Sequence, residues 1–464
     1  MDKISDFLLP IVANINTYLS NYILIALLVG VGLFYSIRTK FVQVRCFGEG
    51  MKKVFGNFSM RGGKQKGGIS SFQALATAVA AQVGTGNIVG ACGAILIGGP
   101  GAIFWMWVIA FFGMATIYAE AVLAQETKVV GADGNVMGGP VYYIKRAFNN
   151  KFGKFLAGFF AVACTLALGF MGAMVQSNSI AGSMETAFSI PTWVVGLILA
   201  LICAVIFIGG IKRIASVAEK IVPIMAIIYL VIGFIVLGIN VTKIPETFGL
   251  IFKYAFMPHA IIGGTIGFAI KEAISQGAKR GLFSNEAGMG STPHAHAQAN
   301  VEKPHDQGVV AMIGVFIDTF IVLTMTALVV ISTLYAGGGP LSEVGAAAGY
   351  SNGTLMQLAV GTAFGNEAFG NIVIAICLTF FAFTTIISWN FFGKLNFQHL
   401  FGKKATIVYS ILAIGFVFLG SVLKIDLVWE LTDMFNNIMV IPNVIALFAL
   451  SAIVVKAVKS RKNK

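Results

Sequence analysis

Charge is what this sequence has least of. Only 11% of its 464 residues are Asp, Glu, Lys or Arg, against 57% hydrophobic; a soluble domain carries about 25% charged residues. A water-surrounded chain of this length has no core large enough to take up so much apolar side chain. A soluble globular protein is therefore excluded, and lipid must cover the remainder. Cysteine is scarce too. The five cysteines, at 46, 92, 164, 203 and 377, lie mostly inside apolar stretches, with no CxxC and no metal-ligand spacing. They read as buried structural thiols rather than disulfides or a metal site. No HExxH, Walker loop or GxSxG elbow in a sensible context supports a membrane-embedded enzyme. A cleavable signal peptide is missing as well: Asp2, Asp6 and Pro10 stand where a basic start and an apolar core would be, so the first hydrophobic span is expected to direct insertion. Alternating ten-residue strands of the outer-membrane type are absent.

What is present is a series of long apolar runs. A spanning helix needs about 20 largely apolar residues. Eleven segments qualify, near 19–37, 70–97, 101–125, 155–181, 192–211, 218–241, 258–299 (interrupted), 308–335, 362–392, 405–423 and 430–455. The expected class is an all-α integral membrane protein with about 11 transmembrane helices. The net charge of +13 sits in short clusters between these runs, which is the positive-inside pattern and not a nucleic-acid face. Arg38, Lys40, Arg45, Lys52, Lys53, Arg61, Lys64 and Lys66 follow the first span against one acid, Glu49. Lys145, Arg146, Lys151 and Lys154 follow the third; Lys212, Arg213 and Lys220 follow the fifth; Lys403 and Lys404 precede the tenth; Lys456, Lys459, Arg461, Lys462 and Lys464 close the chain. The loop 336–361 has no Lys or Arg. All of this fits an amino terminus outside, a carboxyl terminus in the cytoplasm, and a plasma-membrane location.

Two spans have the wrong chemistry for unbroken helices. The second contains Gln82-Val83-Gly84-Thr85-Gly86-Asn87 in its middle. Glycine costs about 1 kcal/mol relative to alanine inside a helix, and unwound backbone at membrane depth is tolerated only where it lines a cavity or is buried in protein. Close helix packing through small residues is the bland alternative; the polar cluster favours a binding site. The seventh contains Gly281-Leu282-Phe283-Ser284-Asn285-Glu286-Ala287-Gly288-Met289-Gly290 and ends in Pro293. Glu286 within a membrane segment is a functional hypothesis by default; the alternative is a short cytoplasmic loop after a helix ending at Lys279 and Arg280. Breaks at matching positions of two oppositely oriented halves point to an inverted-repeat transporter. The expected layout is one transmembrane domain over 1–464, with an extra first helix (19–37), a first repeat over 70–241 and a second over 258–455, a five-plus-five inverted repeat.

Other polar residues face the same centre. Thr165, Gly169, Gly172, Gln176 and Ser179 share one helical face; Gln176 is open to substrate, to broken backbone or to plain interhelical bonding. Thr384 and Thr385 offer adjacent hydroxyl oxygens, which with unwound carbonyls would suit a small hard cation, although back-bonding to their own helix is the simpler reading. Trp389 follows one turn later. Glu120 and Asp318 stand in apolar spans without an assigned role, and Lys271 and Glu272 are expected to pair with each other. His294 and His296 are expected at a solvated interface, with pH sensing as the alternative.

These residues carry a family resemblance. QVGTGNIVG, GGPGAIFWMWVIAFFGMATIYAEAVLA, GGPVYY and RGLFSNEAGMGS resemble the alanine or glycine:cation symporter family, and the broader fold is similar to the leucine-transporter type. The likeness extends from the first span to about Pro442. It implies sodium-coupled, less often proton-coupled, uptake of a small neutral amino acid by alternating access. It also implies that the amides of Thr85 and Gly86, with Gly84, hold the substrate carboxylate. Carbonyls near Phe283 and Ser284, with Asn285, would receive the ammonium, and Gln176, Phe283 and Trp389 would shape the pocket. Sodium would sit at Ala80, Val83, Phe381, Thr384 and Thr385. Ser291 to Asn300, STPHAHAQAN, departs from the family pattern. An uncoupled facilitator or channel would use the same spans; accumulation against a gradient separates the two.

Overall fold

The structure is a computed structural model describing residues 2–56, 69–131, 136–208, 210–257, 266–343, 346–423 and 425–460. Arg61, Lys64, Lys66, Arg461, Lys462 and Lys464 and the first part of the seventh span (258–265) lie outside the described residues.

Helices dominate because an apolar environment forces every backbone amide and carbonyl to pair within its own segment. Eight helices among the described residues are long and apolar enough to cross a membrane, and Ser71–Gln82 with Gly86–Gly98, bent by 47°, makes a ninth. Two further helices stand where the sequence places its fifth and seventh spans without being both long and apolar enough. Thr192–Ile208 is apolar throughout but has only 17 residues. Ile266–Asn285 has 20 but carries Lys271, Glu272, Lys279 and Arg280. The first span is longer than expected: it occupies Phe7–Arg38, and Pro10 lies inside its first helical stretch, Asp2–Tyr18.

Burial separates centre from rim. Three-quarters of the eighth span is inside the protein (72%), against 28% of the sixth and of the tenth. On that rim Ile224, Ile227, Phe234, Ile407 and Ile411 are exposed, which suits lipid and not water. The third span, Ala102–Thr127, and the eighth pack against each other at the centre.

Local chemistry sets both breaks. A capping box starts the second span, with the Ser70 side chain accepting from the Gln73 amide and the Gln73 side chain accepting from the Ser70 amide, both at 3.1 Å. That helix ends at Gln82, Val83 leaves helical geometry (φ −80°, ψ 86°), and winding resumes as a wide turn over Gly86–Gly90. The seventh span winds to Asn285 and then stops. Glu286, Gly288 and Gly290 all take positive φ (59°, 92° and 82°), and Pro293 starts the short helix Pro293–Ala297. So the seventh helix does not end at Arg280, and Glu286 is not in an open loop: it is fully buried.

The segment after this break corrects a second expectation. His294 and His296 are buried, at 2% and 1% exposure. The departing segment folds back under the bundle and is pinned by Ile69, whose amide donates to the Gln298 carbonyl and whose carbonyl accepts from the Asn300 amide, both at 3.0 Å. Nor do Lys271 and Glu272 pair: the lysine donates to Tyr22 Oη at 3.0 Å and the glutamate accepts from Gln276 at 2.8 Å, because neighbours in a helix point apart. The one sheet among the described residues is a two-stranded ribbon, Val129–Val130 with Val136–Met137.

Candidate functional site

The two breaks meet. A Cβ built on Gly86 would sit 3.0 Å from Phe283 Cδ1 and from Ser284 Cα, so the restarting half of the second span touches the last turn of the seventh. A helix start presents unpaired amides and partial positive charge, and a helix end presents unpaired carbonyls and partial negative charge. Here one of each faces the other inside a closed protein centre. Thr85, Asn87, Ser284 and Glu286 are all fully buried.

Hydrogen bonds lace the breaks together. Gln82 Nε2 donates to the Asn285 carbonyl at 2.7 Å. Asn87 Oδ1 accepts from the Gly84 amide at 3.0 Å, and its Nδ2 donates to Asp318 Oδ1 at 2.6 Å. Ser284 Oγ donates to both Asp318 oxygens at 3.0 Å, and Thr319 donates to the same carboxylate at 2.8 Å. Asp318, which had no role in the sequence reading, therefore ties a residue after one break to a residue at the other. Asn285 is turned inward on its own loop: its Oδ1 accepts from the Ala287 amide at 3.0 Å.

Gln176 reaches the first break. Its Oε1 accepts from the Thr85 amide at 3.1 Å, the amide expected to hold a carboxylate, so an amide oxygen stands where an anionic oxygen would. Gln176 Nε2 and Thr85 Oγ1 are buried without a hydrogen-bond partner among the described residues. Buried polar groups are normally satisfied, and an orphan costs about 1–3 kcal/mol; these two fit a polar ligand. The rest of the fourth-span face supports the site by being small. Gly172 lies against the Trp389 ring of the ninth span and Gly169 against Tyr409 of the tenth, letting the fourth span approach both closely. Thr165 bonds back to Ala161, and Ser179 is buried.

Thr384 and Thr385 both bond back to Phe381 in their own helix, as the simpler reading has it, and Thr385 also reaches the end of the first broken helix. Thr385 Oγ1 lies 3.0 Å from the Ala80 carbonyl, 3.2 Å from the Ala81 carbonyl and 3.2 Å from the Phe381 carbonyl, and Thr384 Oγ1 lies 2.9 Å from Phe381 O. A Cβ on Gly84 would collide with Thr385 Oγ1. Clustered neutral oxygens from a helix end and two hydroxyls form a hard donor set of the kind that suits an alkali cation. Val83 ends the helix that supplies the carbonyls, and its own amide bonds to Val79 at 2.7 Å.

An aromatic wall closes one side. Phe283 meets Trp389 edge to face at 5.6 Å and packs on Trp429 at 4.9 Å. Trp389 Nε1 donates to Glu286 Oε1 at 2.6 Å, and Ser291 Oγ donates to the same carboxylate. Beyond Trp429 the stack continues: the Arg280 guanidinium lies 4.7 Å from that ring. Asp433 binds Lys279 at 2.7 Å and Arg280 at 3.3 Å. Sequence reasoning missed this ion cluster. Its signal was present, as two acids, Glu430 and Asp433, at the start of the eleventh span. Glu120 was noticed without a partner; it accepts from Asn443 Nδ2 at 2.6 Å and from the Gly288 amide at 3.2 Å.

On the opposite side of the seventh-span break, His294 stacks between Phe160 and Phe392, with ring centres at 6.3 and 5.6 Å, and its Nε2 meets Asn396 Nδ2 at 2.8 Å. A cavity of about 210 Å³ opens beside His294 and Asn396, and another of about 300 Å³ is lined by Lys145, Lys154 and His399. Burial, and then the neighbouring Lys154, push the Lys145 ammonium below the usual lysine range.

The chain is similar to known proteins along its whole length. The family described as the sodium:alanine symporter family matches residues 5–464. The sodium/alanine symporter AgcS of Methanococcus maripaludis is 39% identical over 461 residues, covering 98% of this chain and 98% of that protein. The amino-acid carrier protein AlsT of Bacillus subtilis is 38% identical over 436 residues, covering 93% and 88%. Among solved structures, MhsT in complex with L-phenylalanine superposes with a TM-score of 0.60 at 12% identity, covering 85% of this chain and 99% of that one. A Na⁺-coupled sialic acid symporter superposes with a TM-score of 0.51 at 14% identity, covering 88% and 82%. The last two are likenesses of fold.

Proposed function

The chain belongs to the sodium:alanine symporter family, and from that premise we propose that the meeting point of its two broken spans binds a small neutral amino acid of the alanine or glycine class, with the coupling ion beside it. The protein is a multi-pass membrane transporter that moves an amino acid with sodium or a proton, and it is not an enzyme. One observation carries the site assignment: Gly86 abuts Phe283 and Ser284 while Thr385 reaches the Ala80 carbonyl at the end of the same broken helix.

A zwitterion is costly in a membrane interior unless both charges find partners. The amides at Thr85 and Gly86 offer positive dipole ends to the carboxylate, and the carbonyls of Phe283 and Ser284 offer negative ends to the ammonium. Gln176 Oε1 then gives up the Thr85 amide to the ligand, and its orphaned Nε2 donates to it. Phe283, Trp389 and Gly172 leave little room for a side chain, so a larger substrate loses about 1–3 kcal/mol per misplaced methylene. Sodium takes the Ala80, Val83 and Phe381 carbonyls with the Thr384 and Thr385 hydroxyls. Because Ala80 and Val83 belong to the helix whose restart holds the substrate, ion and substrate bias the same element, which couples their gradients when the two conformations bind the ion unequally.

In this reading the basic clusters face the cytoplasm and the amino terminus lies outside. Residues 70–241 and 258–455 are the two inverted repeats, with the first span outside them. The Arg280–Trp429–Phe283 stack, braced by Asp433, then closes the outer side of the site. The cavities at His294, Asn396 and Lys145 open toward the cytoplasm and give the exit path for import.

The test is radiolabelled alanine uptake by purified protein in liposomes. Accumulation that requires an inward sodium gradient and is competed by glycine supports the reading. Accumulation driven only by protons moves the coupling role to Glu286 and His294. Equilibration without accumulation under either gradient sinks the coupled assignment.

A further inference from the structure

A cluster of three metal-ligating side chains lies outside the site described above. Cys46 immediately precedes the helix Phe47–Phe55 that follows the first span, and Glu49 lies within its first turn. His305 is the second residue of the helix Pro304–Val315, where the eighth span begins. The cysteine sulfur, a glutamate oxygen and a histidine ring nitrogen all lie within 4.8 Å of one another. Glu49 Oε1 and His305 Nε2 are 3.3 Å apart. Ligand atoms around a tetrahedral zinc ion, with Zn–S about 2.3 Å and Zn–N about 2.0 Å, sit about 3.4–3.6 Å from each other. The oxygen–nitrogen pair is already near that spacing, and the sulfur has little more than an ångström to close.

We propose that Cys46, Glu49 and His305 form a binding site for a zinc-class divalent transition-metal ion. The chemistry selects the ion. A thiolate is a soft ligand that Na⁺, Mg²⁺ and Ca²⁺ do not seek, whereas sulfur, imidazole and carboxylate together suit zinc. The orientation is provided for: Tyr118 Oη meets His305 Nδ1 at 2.6 Å, and such a partner on the second ring nitrogen fixes a metal-binding histidine and turns its other nitrogen to the ion. The two elements are also locked in place. Lys53 and Asp306 pair at 3.1 Å, and Gly50 packs so closely that a Cβ there would lie 2.8 Å from Ile313 Cγ1 and from the Val309 carbonyl. Three protein ligands leave a fourth position for water. Occupancy would staple the helix after the first span to the start of the eighth, and binding would release the thiol proton. The cysteine spacing in the sequence gave no hint of this, because the histidine comes from a distant helix that only folding brings beside Cys46.

The experiment uses the full-length protein in detergent with any affinity tag removed. Protein is loaded with zinc, desalted and analysed for metal content, and separately titrated with Co²⁺ while the sulfur-to-cobalt charge-transfer absorption is recorded. The expected result is about one zinc per chain and a thiolate–cobalt band. Cys46→Ser abolishes the band, His305→Gln and Glu49→Gln bring the bound zinc down to background, Tyr118→Phe weakens binding about 10–100-fold, and Cys203→Ser, in the fifth span, changes neither. Background metal content in the wild type, a cobalt spectrum without a thiolate band, or a band that survives Cys46→Ser overturns the proposal. The wild-type spectrum decides the matter even if a variant fails to fold. Transport is not the readout, so the result is independent of the amino-acid site.

Discussion

The indole N–H of Trp389 donates to Glu286 at 2.6 Å, joining the ninth span to the loop where the seventh unwinds. Glu286 holds positive φ (59°), a conformation that costs a non-glycine residue about 1–3 kcal/mol and persists only when surroundings enforce it. Trp389 and Ser291 supply that enforcement. Glu286→Gln keeps an acceptor for the indole and is expected to retain most uptake under a sodium gradient. Glu286→Ala leaves a buried indole donor unpaired, a cost of about 1–3 kcal/mol, and is expected to lower uptake about tenfold or more. Equal activity of the two variants at equal protein level would show that the contact does not set the loop.

Sodium dependence is expected to reside in two hydroxyls. Thr385→Ala removes the oxygen that lies beside the Ala80 and Phe381 carbonyls. With Thr384→Ala it is expected to raise the sodium concentration for half-maximal uptake about tenfold, equivalent to about 1.4 kcal/mol, with little change in membrane expression. Thr385→Ser restores the hydroxyl and most of the affinity. A double alanine variant with unaltered sodium activation would remove these residues from the ion site.

The glycines of the first break are expected to tolerate nothing larger. A Cβ at Gly84 collides with Thr385 Oγ1, and one at Gly86 presses on Phe283 and Ser284 at 3.0 Å. Overpacking of this kind costs about 1–3 kcal/mol. Gly84→Ala and Gly86→Ala should each lose uptake by about tenfold or more. Gly158, whose Cβ position is open space, is the control, and Gly158→Ala should transport normally.

Asp433 is expected to be needed for a working barrier rather than for substrate contact. Asp433→Asn leaves Arg280 without its buried counter-charge and Lys279 with only Glu430, at 3.7 Å; breaking a buried pair costs about 3–5 kcal/mol. Uptake should fall sharply, and a cysteine-reactive probe placed at Phe283 should gain access from the side of the ion cluster. Unchanged access in Asp433→Asn would remove the cluster from the barrier.

Spans and breaks were legible in the sequence, and Glu286 shows why. Lipid admits few charges and no unsatisfied backbone, so a carboxylate beside glycines in an apolar run announces itself. Hydrogen-bond partners were not legible. Asp318 stood out as a charge, yet Asn87 and Ser284 on two other elements decide what it does. His294 and His296 misled because local polarity reads as solvent exposure; their segment is instead pinned under the bundle by Ile69.

Composition and apolar periodicity alone determined that this chain is a helical membrane protein with two broken spans, since the bilayer is a uniform solvent whose demands apply residue by residue. Only the tertiary structure decided which broken ends face each other, that Thr385 lies at the Ala80 carbonyl, that Asp433 pairs with Lys279 and Arg280, and that Cys46 stands beside His305. Those contacts join residues far apart in the chain, and packing, which has no period to read, brings them together.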